Sequence, residues 1–284
     1  MPIVLPTIAA AREWVRAGRS PSRSLGLVPT MGALHEGHRS LFRCARAECD
    51  RVAISIFVNP LQFGVGEDFE RYPRTLESDL AMADEQGVDA VFHPEACEMY
   101  PQPLLVSVHP GRLGKTLCGP SRPGHFRGVA TVVAKLFHIL EPDVAYFGQK
   151  DAQQAVIIQR MVSDLNLPVA IQVCPTVREP DGLAMSSRNR YLNPEGRARA
   201  TVLYRALRHA EQLLHGGVSD PTRLEEEMQR MIGEVPGAGL DYASVVDRWT
   251  LEPAGAIDRE VLAAVAVRFG KTRLIDNLLI APKK

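Results

Sequence analysis

Apolar residues in the first part of the chain come in two patterns that take turns. Leu25 to Val28, Val52 to Val58, Ala90 to Phe92, Val144 to Phe147 and Val169 to Val173 are short unbroken runs, the mark of strands buried on both faces. Between them, Ser40 to Glu48, Leu76 to Gln86, Val129 to Leu140 and Ala152 to Asp164 space their apolar residues by three and four, which predicts helices with one buried stripe. Thr7 predicts an N-cap for an alanine-rich helix ending near Gly18. Strand and helix in alternation predict an α/β fold with a doubly wound parallel sheet.

The pattern changes after Glu179-Pro180-Asp181-Gly182, a strong turn signal. Two polar helices, about Glu195 to His215 and Pro221 to Ile232, precede candidate strands at Tyr242 to Val246, Val261 to Phe269 and Leu274 to Ile280. This predicts a second, smaller α+β domain, with residues 1–182 forming the first and 183–284 the second.

Composition narrows the class of function. The chain has 284 residues, 45% of them apolar, enough to bury a substantial core. Its 33 basic residues balance 33 acidic ones, with no dense Lys/Arg block, so nucleic acid and membrane surface are poor partners and small ligands better ones. No apolar run approaches the roughly 20 residues of a membrane span, and a cytoplasmic location is expected. Five cysteines with no C-x-x-C pair fit a reducing compartment. Cys118, near Gly119 and Arg122, invites a reactive-thiol reading beside the ordinary one of a small buried hydrophobe.

The richest chemistry lies in Pro29 to His38, P-T-M-G-A-L-H-E-G-H, between the first strand and the helix that follows. Two histidines at a helix start, where unpaired backbone N–H groups and the positive dipole end favour phosphate, make an anion site. A zinc site fits less well, since the spacing is not H-E-x-x-H and no nearby ligand completes a set. Gly148-Gln149-Lys150-Asp151 ends another strand, with a point charge for a polyphosphate and a carboxylate for ribose or Mg²⁺. Met185-Ser186-Ser187-Arg188 offers two hydroxyls and a guanidinium to triphosphate oxygens. Gly182 ahead of it predicts a mobile loop. Gln62 and Gln154 are neutral amides suited to a hydroxyl or carboxylate, with Phe57, Phe63 and Val129 as apolar walls. Asp79, with Glu77, is either a Mg²⁺ ligand or a helix-dipole partner. Four segments, Pro29 to His38, Asn59 to Gly64, Gly148 to Asp151 and Thr176 to Arg178, follow separate strands, and parallel sheets bind ligands outside their carboxyl ends.

P-T-M-G-A-L-H-E-G-H resembles the signature of the pantothenate synthetase family, within the HxGH nucleotidyl-transferring superfamily. Also similar to that family, in its order, are F-V-N-P-L-Q-F-G (Phe57 to Gly64), R-P-G-H-F-R-G-V (Arg122 to Val129), F-G-Q-K-D-A-Q-Q (Phe147 to Gln154), M-S-S-R-N (Met185 to Asn189) and T-R-L-I-D-N (Thr272 to Asn277). The resemblance implies a Rossmann-like fold and an ATP-dependent ligase that joins pantoate to β-alanine through an adenylate, with Mg²⁺ and as a homodimer. Carried over position by position, it implies His38, His35 and Lys150 as catalytic. Pro29, Thr30, Met31, Gly148, Asp151, Val177, Met185, Ser186, Ser187 and Arg188 would join them around ATP. Gln62 and Gln154 would hold pantoate, and Asp79 the metal. His125 and Arg127 are left open between substrate contact and loop capping. The competing readings are another nucleotidyltransferase of the superfamily and a nucleotide sensor without turnover.

Overall fold

The computed structural model describes residues 1–64 and 66–283. Nine strands and nine α-helices are present among them. The strands are β1 (Ile3–Leu5), β2 (Leu25–Thr30), β3 (Arg51–Ile56), β4 (Ala90–Phe92), β5 (Val144–Gly148), β6 (Ala170–Cys174), β7 (Ala238–Asp247), β8 (Val261–Phe269) and β9 (Thr272–Ile280). The helices are α1 (Ile8–Gly18), α2 (Glu36–Glu48), α3 (Leu76–Glu85), α4 (Ala96–Met99), α5 (His125–Leu140), α6 (Ala152–Asp164), α7 (Pro194–Arg199), α8 (Val202–His215) and α9 (Pro221–Gly233).

The chain divides into two compact units. One comprises residues 1–114, 122–148 and 157–175; the other comprises 115–121, 149–156 and 176–284. Two segments that precede residue 176 thus belong with the C-terminal unit.

In the first unit, six strands pair in the order β1-β4-β3-β2-β5-β6, all parallel. Every residue of β4, and all but one of β2 and β3, is buried, as central strands of an α/β sheet require. β6 at the edge alternates instead, with only Cys174 fully buried. The strand order reverses between β2 and β5, which makes the gap beyond their carboxyl ends the expected ligand crevice. Thr7 caps α1 as predicted, its hydroxyl accepting from the Ala10 N–H at 3.1 Å. Two short elements, β1 and α4, escape the sequence pattern because three or four residues carry no periodicity.

In the second unit, β7, β8 and β9 form an antiparallel sheet in that order. Leu203, Leu207, Leu224 and Met228 from α8 and α9 pack with Val245, Ala263, Val265 and Val267 in one core. The predicted helix Glu195 to His215 is two helices, α7 and α8, with a break at Ala200 and Thr201. β7 begins four residues before its predicted start and carries a bulge between Leu240 and Tyr242, which interrupts the period-two pattern that would reveal it.

Candidate active site

The Pro29–His38 segment leaves β2 through a turn fixed by buried polar groups. The Thr30 hydroxyl donates to the Ser55 carbonyl at 2.6 Å and accepts from the Gly32 N–H at 3.2 Å. Gly32 and Ala33 have φ of +77° and +51°, and a Cβ at Gly32 would stand 2.9 Å from an Asp79 oxygen, so both backbone and space demand glycine there. Asp79, 2% exposed, accepts from the Ala33 N–H at 3.0 Å and the Leu34 N–H at 2.9 Å. The Thr75 hydroxyl donates to the same carboxylate at 3.2 Å. Both oxygens are spent on the protein, and what this carboxylate holds is the turn leading to the histidines.

His35 is the N-cap of α2 and His38 its third helical residue, and the two cap each other. The Gly37 N–H donates to His35 Nδ1 at 3.1 Å, and the His35 N–H donates to His38 Nδ1 at 3.3 Å. This is the capping-box geometry with imidazoles in place of hydroxyl and carboxyl groups. With Nδ1 accepting in both rings, the neutral tautomer of each carries its proton on Nε2. The ring centroids are 4.1 Å apart. Sequence reasoning expected open backbone N–H groups at this terminus; the Gly37 N–H is instead taken by a ring, so an anion meets imidazole donors there.

Gln62 stands on a single 3-10 turn, Pro60–Gln62, after β3. Its Oε1 accepts from Asn59 Nδ2 at 3.2 Å, and its Nε2 contacts Met31 Sδ at 2.9 Å. Asn59, 1% exposed, is the organiser: it also donates to the Gly128 carbonyl at 3.2 Å and accepts from the Leu61 N–H and the Tyr100 hydroxyl. Burial pushes the Tyr100 hydroxyl up, so it remains protonated and a donor. A Cβ on Gly128 would lie 2.2 Å from the Leu61 carbonyl oxygen and 2.8 Å from the Gln62 nitrogen. Helix α5 can reach the Gln62 turn only through that glycine. His125 and Arg122 both bond the Gln62 carbonyl, at 2.7 and 3.3 Å, and Arg122 pairs with both Glu67 oxygens. Burial pushes the Glu67 carboxyl up, but the Arg122 guanidinium outweighs it and holds the group below its ordinary value. Of the two roles left open for His125, loop capping is the one observed. Phe57 and Val129 are buried, and Phe63 is half-buried.

The remaining expected residues lie in the second unit, apart from Gly148 at the end of β5. Lys150 and Asp151 occupy a 3-10 turn, Gln149–Asp151, with Lys150 Nζ 3.6 Å from the Asp151 carboxylate. Gln154 follows on α6, half-buried. Val177 and Met185 face each other across a hairpin, where the Met185 N–H donates to the Val177 carbonyl at 3.0 Å. Ser186 caps the turn Ser187–Tyr191, its hydroxyl accepting from the Arg188 N–H at 3.3 Å. Asn189 closes this loop by donating to the Ala184 carbonyl at 3.1 Å. Gly182, expected to loosen the loop, is buried and pressed on Tyr204, whose ring would lie 2.3 Å from an added Cβ. The hairpin is packed. Cys118, 5% exposed, contacts the Tyr242 hydroxyl at 3.3 Å and Arg273 at 3.4 Å, which agrees with the buried reading of that thiol.

With this geometry, the whole chain can be compared with known proteins. A family model described as pantoate-beta-alanine ligase matches residues 3–279. The chain belongs to the pantoate-beta-alanine ligase family. It is 54% identical over 277 residues to a pantothenate synthetase of Heliobacterium modesticaldum, covering 98% of this chain and 99% of the relative. The pantothenate synthetase of Thermus thermophilus superposes with a TM-score of 0.92 at 46% identity, over 99% of this chain and 100% of that one. A Francisella tularensis pantoate-beta-alanine ligase, described as complexed with beta-gamma ATP and beta-alanine, gives 0.81 at 35% identity, over 98% of each chain. The α/β architecture of two sheets and the assignment to a ligase follow from this membership.

Members of a pantoate-beta-alanine ligase family share motifs whose service to the site is not legible from residue type. Asn59 and Gly128 fix the Gln62 turn in the first unit, and Arg178, Asp276 and Asn277 fix the Lys150 turn and the Val177–Met185 hairpin in the second, yet the sequence assigned them no role. Asn59, Gly128, Asp276 and Asn277 lie within the quoted motifs, and that position is the signal that would have found them; Arg178 lies in the Thr176 to Arg178 segment that follows the last apolar run of the first part.

Proposed function

We infer that this chain joins pantoate to β-alanine at the expense of ATP, releasing AMP and pyrophosphate. The observation that carries the reading is the His35–His38 pair at the end of β2, in a chain that matches the ligase family over residues 3–279. A pantoate carboxylate oxygen attacks the α-phosphorus of ATP; the bond to the bridging oxygen breaks and pyrophosphate leaves. The β-alanine amine then attacks the acyl carbon of pantoyl adenylate, the C–N bond forms, AMP departs and the nitrogen loses a proton. A carboxylate is a poor acyl donor until its oxygen bears a good leaving group, so the enzyme's task is to align two anions and neutralise charge.

In this reading His38 and His35 donate through Nε2 to the phosphates, His38 being the proton donor, and Lys150, Ser186, Ser187 and Arg188 hold the triphosphate. Pro29, Thr30 and Met31 line its other side. Gly148, Asp151, Val177 and Met185 take the nucleoside, and Gln62 and Gln154 orient pantoate. Mg²⁺ arrives with the nucleotide: it commonly keeps substrate phosphates and waters as ligands. The Asp79 donor set does not fit it, and among the described residues no three His, Cys, Asp or Glu side chains gather as a metal site.

ATP/pyrophosphate exchange with D-pantoate, Mg²⁺ and no β-alanine tests the reading. Pantoate-dependent exchange, followed by pantothenate and AMP once the amine is added, is the expected result. Absence of both signals would return the chain to the nucleotidyltransferase or sensor readings.

A cytoplasmic homodimer completes the proposal. No helix among the described residues is long and apolar enough to cross a membrane, and the five cysteines are free. Leu105 and Val106 are 98% and 84% exposed, an apolar stretch that a second copy would cover. Leu105→Asp is expected to convert a dimer to a monomer in light scattering; a variant that keeps the parent mass moves the interface elsewhere.

A further inference from the structure

β9 pairs with β8 alone and is the edge of its sheet. Adjacent residues on it, Asp276 and Asn277, are 2% and 4% exposed, and each holds a different loop. Asn277 Nδ2 donates to the carbonyls of Gln149 and Lys150, both at 2.9 Å, and its Oδ1 accepts from Gln149 Nε2 at 3.0 Å. Three side-chain bonds thus wrap the turn that carries Lys150. Asp276 accepts from both terminal nitrogens of Arg178, at 2.6 and 3.0 Å. Arg178 in turn donates to the Gly182 carbonyl at 3.0 Å and lies over the Tyr204 ring at 4.0 Å, gripping the hairpin that carries Val177 and Met185.

The two grips form one network. The Asn277 N–H donates to the Asp276 carboxylate at 2.8 Å, and the Asn277 carbonyl accepts from Arg178 at 3.4 Å. Buried polar groups with every partner in place are rigid, and removing one leaves the others unsatisfied.

We propose that Asp276 and Asn277 form a positioning pair that fixes the Lys150 turn relative to the Val177–Met185 hairpin, so that the groups meeting ATP's phosphates and its nucleoside keep one spacing. The proposal rests on the reading above that Lys150 meets the phosphates. The chemistry explains why residue 277 is asparagine: two carbonyls require N–H donors while the Gln149 amide requires an acceptor, and a carboxamide supplies both. Asn277→Asp has nearly the same shape but sets an oxygen against those carbonyls.

A double-mutant cycle on pyrophosphate exchange decides it, with Lys150→Ala, Asn277→Asp and Asn277→Ala, each alone, and each residue 277 variant combined with Lys150→Ala. Circular dichroism melts monitor folding. Each single Asn277 variant is expected to lower exchange kcat about 10- to 100-fold, the scale of a misplaced catalytic group, with the KM for pantoate held. In the Lys150→Ala background the same changes should cost less than about twofold, because the group being positioned is gone. Parent-rate exchange by Lys150→Ala alone would sink the Lys150 reading and the proposal with it. A large Lys150→Ala loss with Asn277 variants at the parent rate, or with losses that multiply, overturns the proposal alone. Failure of both Asn277 variants to fold also overturns it, since the role is then structural.

Discussion

His38→Ala and His38→Gln are both expected to lose about 10²- to 10³-fold in adenylate formation, while only the alanine variant loses stability. The rate loss follows from removing one hydrogen-bond donor aimed at developing phosphate charge. The difference in stability follows from the cap. His38 Nδ1 accepts from the His35 N–H at 3.3 Å, and a glutamine at this position of a capping box bonds the same donor. Alanine cannot, and loss of a cap typically costs about 0.5–2 kcal/mol. Pyrophosphate exchange and thermal melting, measured on the same preparations, separate the two effects. Parent-rate exchange by a folded glutamine variant removes His38 from the chemistry and leaves it a helix cap.

Gly128→Ala is the second large effect, and its sign is the informative part. In an ordinary helix interior this change stabilises by roughly 1 kcal/mol. Here the new methyl would run into the Leu61–Gln62 peptide, 2.2 and 2.5 Å from the Leu61 carbonyl oxygen and carbon and 2.8 Å from the Gln62 nitrogen. Backbone cannot rotate aside as a side chain does, so either α5 or the Gln62 turn must move. Overpacking of this kind costs about 1–3 kcal/mol, enough to reverse the helical gain. Because the displaced turn carries Gln62, the KM for pantoate should rise about tenfold or more while the KM for ATP changes little. A variant that melts at or above the parent temperature would show that α5 and the turn do not approach this closely.

How much was visible beforehand divides along the range of the interactions. β4, β8 and α6 match the sequence reading to the residue because an unbroken apolar run or a helical spacing within the segment itself decides them. So does the placement of four motifs beyond strand ends. What escaped depends on partners distant in sequence. Asp79 reads as an acidic residue in the first turn of a helix, and only the fold brings it to Ala33 and Leu34, 46 and 45 residues away. Asn277 looks like any amide within a strand until the Lys150 carbonyl, 127 residues earlier, is found accepting from its side chain. Gly182 misled in the opposite sense: a turn glycine suggests freedom, and Tyr204 removes it. The histidine pair was legible as residue types at a helix start, but their mutual capping depends on ring orientation, on which spacing is silent.

The interleaving of the two units bears on how this protein can be made and cut. Residues 115–121 and 149–156 belong to the C-terminal unit although they are synthesised well before it. Ser121 bonds Asp241, Cys118 contacts Tyr242, and the Gln149 and Lys150 carbonyls occupy Asn277. A fragment starting at Thr176 therefore lacks the Ser121 hydroxyl on Asp241, the Gln149 and Lys150 carbonyls on the Asn277 side chain, and the Cys118 contact of Tyr242. On the ribosome, the earlier segments must wait for the last strand to emerge before their side chains find a home. The molecule has two units by contact, yet because their segments alternate along the chain no single cut separates one from the other.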